Sequence, residues 1–129
     1  VSLSSKQKKY LSALKKLEKE IIKLMDNFKF YYAAEKIYHY FWHQFCDKII
    51  EESKTQLATN DPSSRTQSVH YGAGKKQETR QATQYILLEI LSDSLKLLHP
   101  FMPFITEEIY QQLPIKNKKK CLMIENWPN

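Results

Sequence analysis

The 129 residues give room for one domain with a buried core, and 42% apolar content with only two glycines argues against a disordered chain and for a compact helical one. The net charge of +6 is carried almost wholly by lysine, Arg65 and Arg80 being the two arginines; it suits attraction to a polyanionic backbone better than bidentate base reading. Two cysteines without short metal spacing predict a reduced, cytoplasmic setting, and no apolar run approaches the ~18 residues of a membrane span.

Ser4-x-x-Gln7 has capping-box spacing. Leu3, Tyr10, Leu14, Leu17, Ile21, Leu24 and Phe28 then recur at steps of mostly three and four, which predicts a first helix over 5–26. A second helix is predicted over 30–53 and holds the aromatic concentration. At about 100° per residue Phe30, Ala34, Ile37, Phe41 and Phe45 share an arc, widened by Tyr31, Tyr38, Trp42 and Ile49. So broad an arc predicts a central helix. Tyr32, Lys36, Tyr40, His43 and Asp47 fall off it.

Residues 55–76 break the pattern with Thr59-Asn60-Asp61-Pro62-Ser63-Ser64 and Gly72-Ala73-Gly74, and are expected to form a flexible connection. A third helix is predicted over 77–98, with Ile86, Ile90 and Leu97 on one face and Leu88, Leu91, Leu95 and Leu98 on another. Pro100 stops it. Pro103 opens a fourth helix over 103–113, where Glu107 and Glu108 are expected to complement the helix dipole. A lysine-rich tail over 115–129 ends in a strand-like run, Cys121 to Ile124. The fold class is therefore all-α, a four-helix, mostly antiparallel bundle with one long connection.

Few constellations carry chemistry. Glu35, His39, His43 and Cys46 fall at spacings of four, four and three, but one helix face cannot surround a metal, so they read as polar side chains facing water with one semi-buried thiol. His99 has no nucleophile beside it and reads as a helix-ending residue. Gly72-Ala73-Gly74-Lys75-Lys76 lacks the strand and the Gly-Lys-Ser/Thr ending of a phosphate loop. Lys75, Lys76 and Arg80 nevertheless cluster at a helix start, where phosphate is favoured. Lys116, Lys118, Lys119 and Lys120 form a second basic segment. Tyr32 and Tyr40, with Lys36 beside them, are the candidates for stacking on unpaired bases.

The corner His99-Pro100-Phe101-Met102-Pro103-Phe104-Ile105-Thr106-Glu107-Glu108 resembles that of the anticodon-binding domain of class I aminoacyl-tRNA synthetases for aliphatic amino acids. Phe28-Lys29-Phe30-Tyr31-Tyr32-Ala33-Ala34, Phe41-Trp42-His43-Gln44-Phe45-Cys46-Asp47 and Leu122-Met123-Ile124-Glu125-Asn126-Trp127-Pro128 look like the valyl branch. Lys48-Ile49 departs from the Trp-Tyr usual there, which weakens any role assigned to an aromatic at position 48 but not the resemblance.

The resemblance implies a single anticodon-binding domain over 1–129, a fragment of a longer synthetase, as Val1 in place of Met also suggests. It would bind the tRNA anticodon arm through Lys75, Lys76, Arg80, Lys116, Lys118, Lys119, Lys120, Tyr32, Lys36 and Tyr40. Valine would be joined to tRNA in a separate catalytic domain that uses ATP and Mg; no cofactor, metal or catalytic residue is expected in this domain, and it is expected to be monomeric. Relatives usually carry a further upstream helix, so the anticodon pocket is expected to be incomplete here. The isoleucyl or leucyl counterpart, or a non-enzymatic helical adaptor that binds a protein, stays open as an alternative.

Overall fold

In the computed structural model, residues 3–57 and 73–128 are described, except for the side chains of 73–76. Helix α1 spans Ser5–Asp26 and α2 spans Phe30–His39; a π-helical segment, Tyr40–Ile50, leads into α3, Glu51–Leu57. His39, Tyr40 and Glu51 all keep right-handed helical dihedrals, so α2, the π segment and α3 are one unbroken rod. Helix α4 covers Ala73–Leu98 and α5 covers Pro103–Gln112. The described residues thus make four rods, as the sequence predicts. The central rod runs four residues further than expected and α4 starts four residues earlier; the rest of the predicted connection lies outside the described residues.

The capping box at α1 is present: Gln7 N–H donates to Ser4 Oγ at 3.3 Å and Ser4 N–H to Gln7 Oε1 at 2.9 Å. The other end closes in a Schellman arrangement, with Phe28 N–H donating to Met25 O at 3.0 Å and Lys29 N–H to Leu24 O at 2.8 Å. Phe28 carries the left-handed turn at φ 59°, where glycine is the usual residue.

Side-chain pairs fix the directions of the rods. Lys6 meets Glu52 at 2.7 Å and Lys36 meets Glu20 at 3.0 Å, so α1 lies antiparallel to the central rod. Thr83 Oγ1 on α4 accepts from Gln7 Nε2 on α1 at 3.3 Å and lies 2.6 Å from Gln56 Oε1 on α3. One hydroxyl therefore joins three helices at this end. The core, Leu14, Ile21, Ala33, Ile37, Tyr40, Phe45, Ile49, Ile86, Ile90, Leu97 and Leu98, fills the space between α1, the central rod and α4. A smaller cluster of Leu95, Tyr110 and Leu122 seats α5 and the tail, with Leu91 packed against both. Helix α4 is buried on two sides, as its pattern predicts, although Leu98 joins the larger core.

The aromatic arc of the central rod differs from expectation. Its buried line is Ala33, Ile37, Tyr40, Phe45 and Ile49, whereas Phe30, Tyr31, Tyr38 and Trp42 are exposed. Ile37, Phe45 and Ile49 are buried as the arc predicts. The other residues differ because the line starts at Ala33, from which 100° steps put Tyr40 inward and Trp42 outward, while from Tyr40 the helix widens to i→i+5 bonding, which turns Phe45 under Tyr40. Trp42 is thus no core residue, and Tyr40 does not lie off the core.

The corner also holds differently. His99 Nδ1 lies 2.8 Å from Thr106 Oγ1, which itself reaches the carbonyl of Met102 at 2.7 Å. Pro103 occupies the first helical position, but Glu107 and Glu108 lie beyond the first turn of α5. Glu107 instead accepts the Leu122 N–H at 2.8 Å and anchors the tail. The expected strand from Cys121 to Ile124 is a 3-10 turn, Leu122–Ile124, because no partner strand lies beside it among the described residues.

Candidate nucleic-acid interface

The lysines singled out by sequence divide into those that face outward and those that hold the fold. Lys118 folds back on the end of α5, its Nζ donating to the carbonyls of Gln111 at 2.5 Å, Leu113 at 3.3 Å and Tyr110 at 3.4 Å, and lies 5.6 Å from the Tyr110 ring centre. It satisfies carbonyls that a helix end leaves without intrahelical donors. Lys119 Nζ donates to Ile124 O at 2.7 Å and Asn126 Oδ1 at 3.2 Å. Both ammonium groups are therefore engaged by the fold, although Lys119, like Lys116 and Lys120, is exposed.

Lys75 and Lys76 fall in the first turn of α4, although their side chains lie outside the described residues. Arg80 is half-buried on the next turn. Lys36 is exposed and paired with Glu20, and Tyr32 is 56% exposed. Tyr40 is the correction: at 9% exposure its ring offers no free face to a base. Its hydroxyl is buried without a hydrogen-bond partner, and burial, then the charges of Glu18 and Asp93, push it well above the usual tyrosine range.

A basic surface that sequence reasoning passed over lies on α1. Lys8, Lys9, Lys16, Lys19 and Lys23 are exposed and form no ion pair among the described residues. Lys9, Lys16 and Lys23 recur every seven residues, two full turns each, so they line one side of the helix. That spacing was legible in the sequence beside the apolar stripe. Tyr32, Glu35, Lys36, His39, Tyr40, His43 and Gln44 line a groove of about 390 Å³ with Leu17 of α1. Cys46 opens instead into an apolar groove against α4 with Phe41, Phe45 and Leu91, so the four residues weighed for a metal are split. Among the described residues no group of three or more His, Cys, Asp or Glu could hold a metal, and no helix is long and apolar enough to cross a membrane.

A helical bundle with an unpaired lysine stripe and an outward row of aromatic rings has the features of a nucleic-acid-binding module. The family of the anticodon-binding domain of tRNA ligase matches residues 7–129, and the chain belongs to it. Among its relatives, the valine–tRNA ligase of Thermotoga maritima is 37% identical over 127 residues, 98% of this chain and 12% of that protein. The valine–tRNA ligases of Fervidobacterium nodosum and Laribacter hongkongensis are 36% and 33% identical, each over 92% of this chain and 11% of their own length. The chain thus spans only about an eighth of the proteins it is similar to.

Proposed function

We propose that this chain is the anticodon-arm binding module of a valine–tRNA ligase, one domain of a longer cytoplasmic polypeptide. The match over 7–129, together with 33–37% identity to valine–tRNA ligases, carries this reading. The module holds a tRNA, a valine isoacceptor, while a separate catalytic domain spends ATP with Mg to attach valine to the distant acceptor end. The domain acts as a monomer and contributes position, not chemistry.

The physical means is a backbone cradle. Lys8, Lys9, Lys16, Lys19 and Lys23 on α1 supply unpaired positive charge, with Lys75, Lys76 and Arg80 at the α4 start and Lys116 and Lys120 on the tail as further contacts. Each phosphate neutralised releases counterions, so affinity must fall steeply with salt. Binding of a labelled anticodon-arm hairpin should be measured across salt concentrations. The expected result is a linear fall of log affinity with log salt, flattened when Lys9, Lys16 and Lys23 become alanine. Failure to bind the hairpin, with salt-insensitive capture of a protein instead, would overturn the reading in favour of a helical adaptor.

A further inference from the structure

Six aromatic residues between Phe28 and Trp42 point outward, and exposed apolar surface of this extent marks an interaction site. Their ring geometry separates them. Phe28 and Phe30 meet edge-on at 82°, and Tyr31 and Tyr32 at 77°, so neither pair presents two parallel faces. Tyr38 and Trp42 do. Their planes lie within 5° of parallel with centroids 6.5 Å apart, and the rings are 57% and 52% exposed.

We propose that Tyr38 and Trp42 form a two-ring platform on which an unpaired RNA base stacks, a proposal that rests on the anticodon-arm reading above. The residues lie four apart across the junction at Tyr40, where α2 becomes π-helical, so the pair is held on a rigid rod. The near-parallel planes and the exposure of both residues leave flat ring surface open to a stacked base. The His39 ring stands edge-on to Tyr38 at 6.4 Å and lies 5.1 Å from that of His43. The His39 imidazole thus places hydrogen-bonding nitrogens beside the Tyr38 ring, while His43 Nδ1 lies 3.4 Å from Asp47 Oδ2. Tyrosine, tryptophan and histidine each join a flat face to a polar tip, which suits a base better than a purely apolar partner. A stack of this kind accepts any base, because every base has a π face.

Two tryptophans occur in the chain, so Trp127→Phe leaves Trp42 as the single reporter. In that variant, single-stranded oligoadenylate and the anticodon-arm hairpin should quench Trp42 fluorescence, and a blunt duplex of equal length should not. With Trp127 intact, labelled-hairpin anisotropy should show Trp42→Ala and Tyr38→Ala each weakening binding about tenfold, with the salt slope unchanged and with Trp42→Phe retaining most of the affinity. If the hairpin binds with its steep salt slope while Trp42 neither quenches nor matters, the platform is refuted and the anticodon-arm reading stands. If the hairpin does not bind at all, both fall. Shielding of Trp42 by another part of a full-length ligase, with RNA absent and unable to displace it, would assign these rings to a protein contact and overturn the platform.

Discussion

The Tyr110 hydroxyl donates to Glu125 Oε1 at 2.5 Å, and the same carboxylate oxygen accepts the Lys119 N–H at 3.0 Å. Tyr110 sits on α5 at 1% exposure, so this contact ties the last fifteen residues to the bundle. Burial, then the bond to Glu125, pushes the phenol up to about 12, and Tyr110 and then Lys119 hold the Glu125 carboxyl below the usual range. A tail without a strand or helix of ordinary length is thus held by side chains.

Tyr110→Phe should cost about 1.5–3 kcal/mol, the range for a hydrogen bond to a charged acceptor. Because the Glu125 carboxyl is depressed in the fold, its contribution is full above the unfolded carboxyl value of about 4.3 and is lost as pH falls through the folded one. Thermal melts of wild type and variant should therefore converge in acid. Melts that stay separated by the same interval at every pH would disprove the linkage.

Glu18 behaves in the opposite sense. It is fully buried between α1 and α4, pairs with Lys15 at 3.1 Å, and has its carboxyl raised by burial above all, which Lys15 only partly offsets. A raised folded value means that stability is greatest below the unfolded carboxyl value and declines as pH rises through the folded one. Glu18→Gln should raise the melting temperature at neutral pH and remove that decline. A variant less stable than wild type at pH 7 would show that the Lys15 pair outweighs desolvation.

Phe28 occupies a left-handed position that costs an L-residue about 1–2 kcal/mol, and its ring is 80% exposed. Replacement by glycine, which adopts this conformation freely, should stabilise the fold by a few tenths to about 1 kcal/mol, net of the entropy glycine adds to the unfolded chain. Denaturant titration would detect it. A loss of stability would mean that the Phe28–Phe30 contact contributes more than the strain costs.

Trp42→Ala should shift the midpoint of urea unfolding clearly less than Ile37→Ala, since Trp42 is half exposed, while Ile37→Ala should cost about 2–5 kcal/mol. Equal losses in the two variants would contradict the burial pattern of the central rod.

The purified chain should show no valine-dependent exchange of pyrophosphate into ATP, because the resemblance places that chemistry in another domain. Exchange retained through purification and heat-matched controls would assign catalysis to these residues.

Short-range sequence decided a large part of this protein. The Ser4–Gln7 box, the Leu14–Ile21 stripe and the Pro100/Pro103 corner fix helix starts and ends through local hydrogen bonding and proline geometry, and they appear where the sequence predicts them. The family was legible in the order of aromatics, prolines and acids at that corner. What the sequence left open depended on registry between distant elements. Tyr40 and Trp42 exchanged their expected places because the buried line starts at Ala33, which packing chose, and Phe45 and Ile49 stay on that line only through the i→i+5 widening that begins at Tyr40. Lys118 and Lys119 read as free charge until the tail folds back on α5, where the unpaired carbonyls of that helix end and of Ile124 capture their ammonium groups. Local patterns settle periodicity and termini, whereas the fate of a long polar or aromatic side chain is settled only by the neighbour that tertiary packing brings within reach.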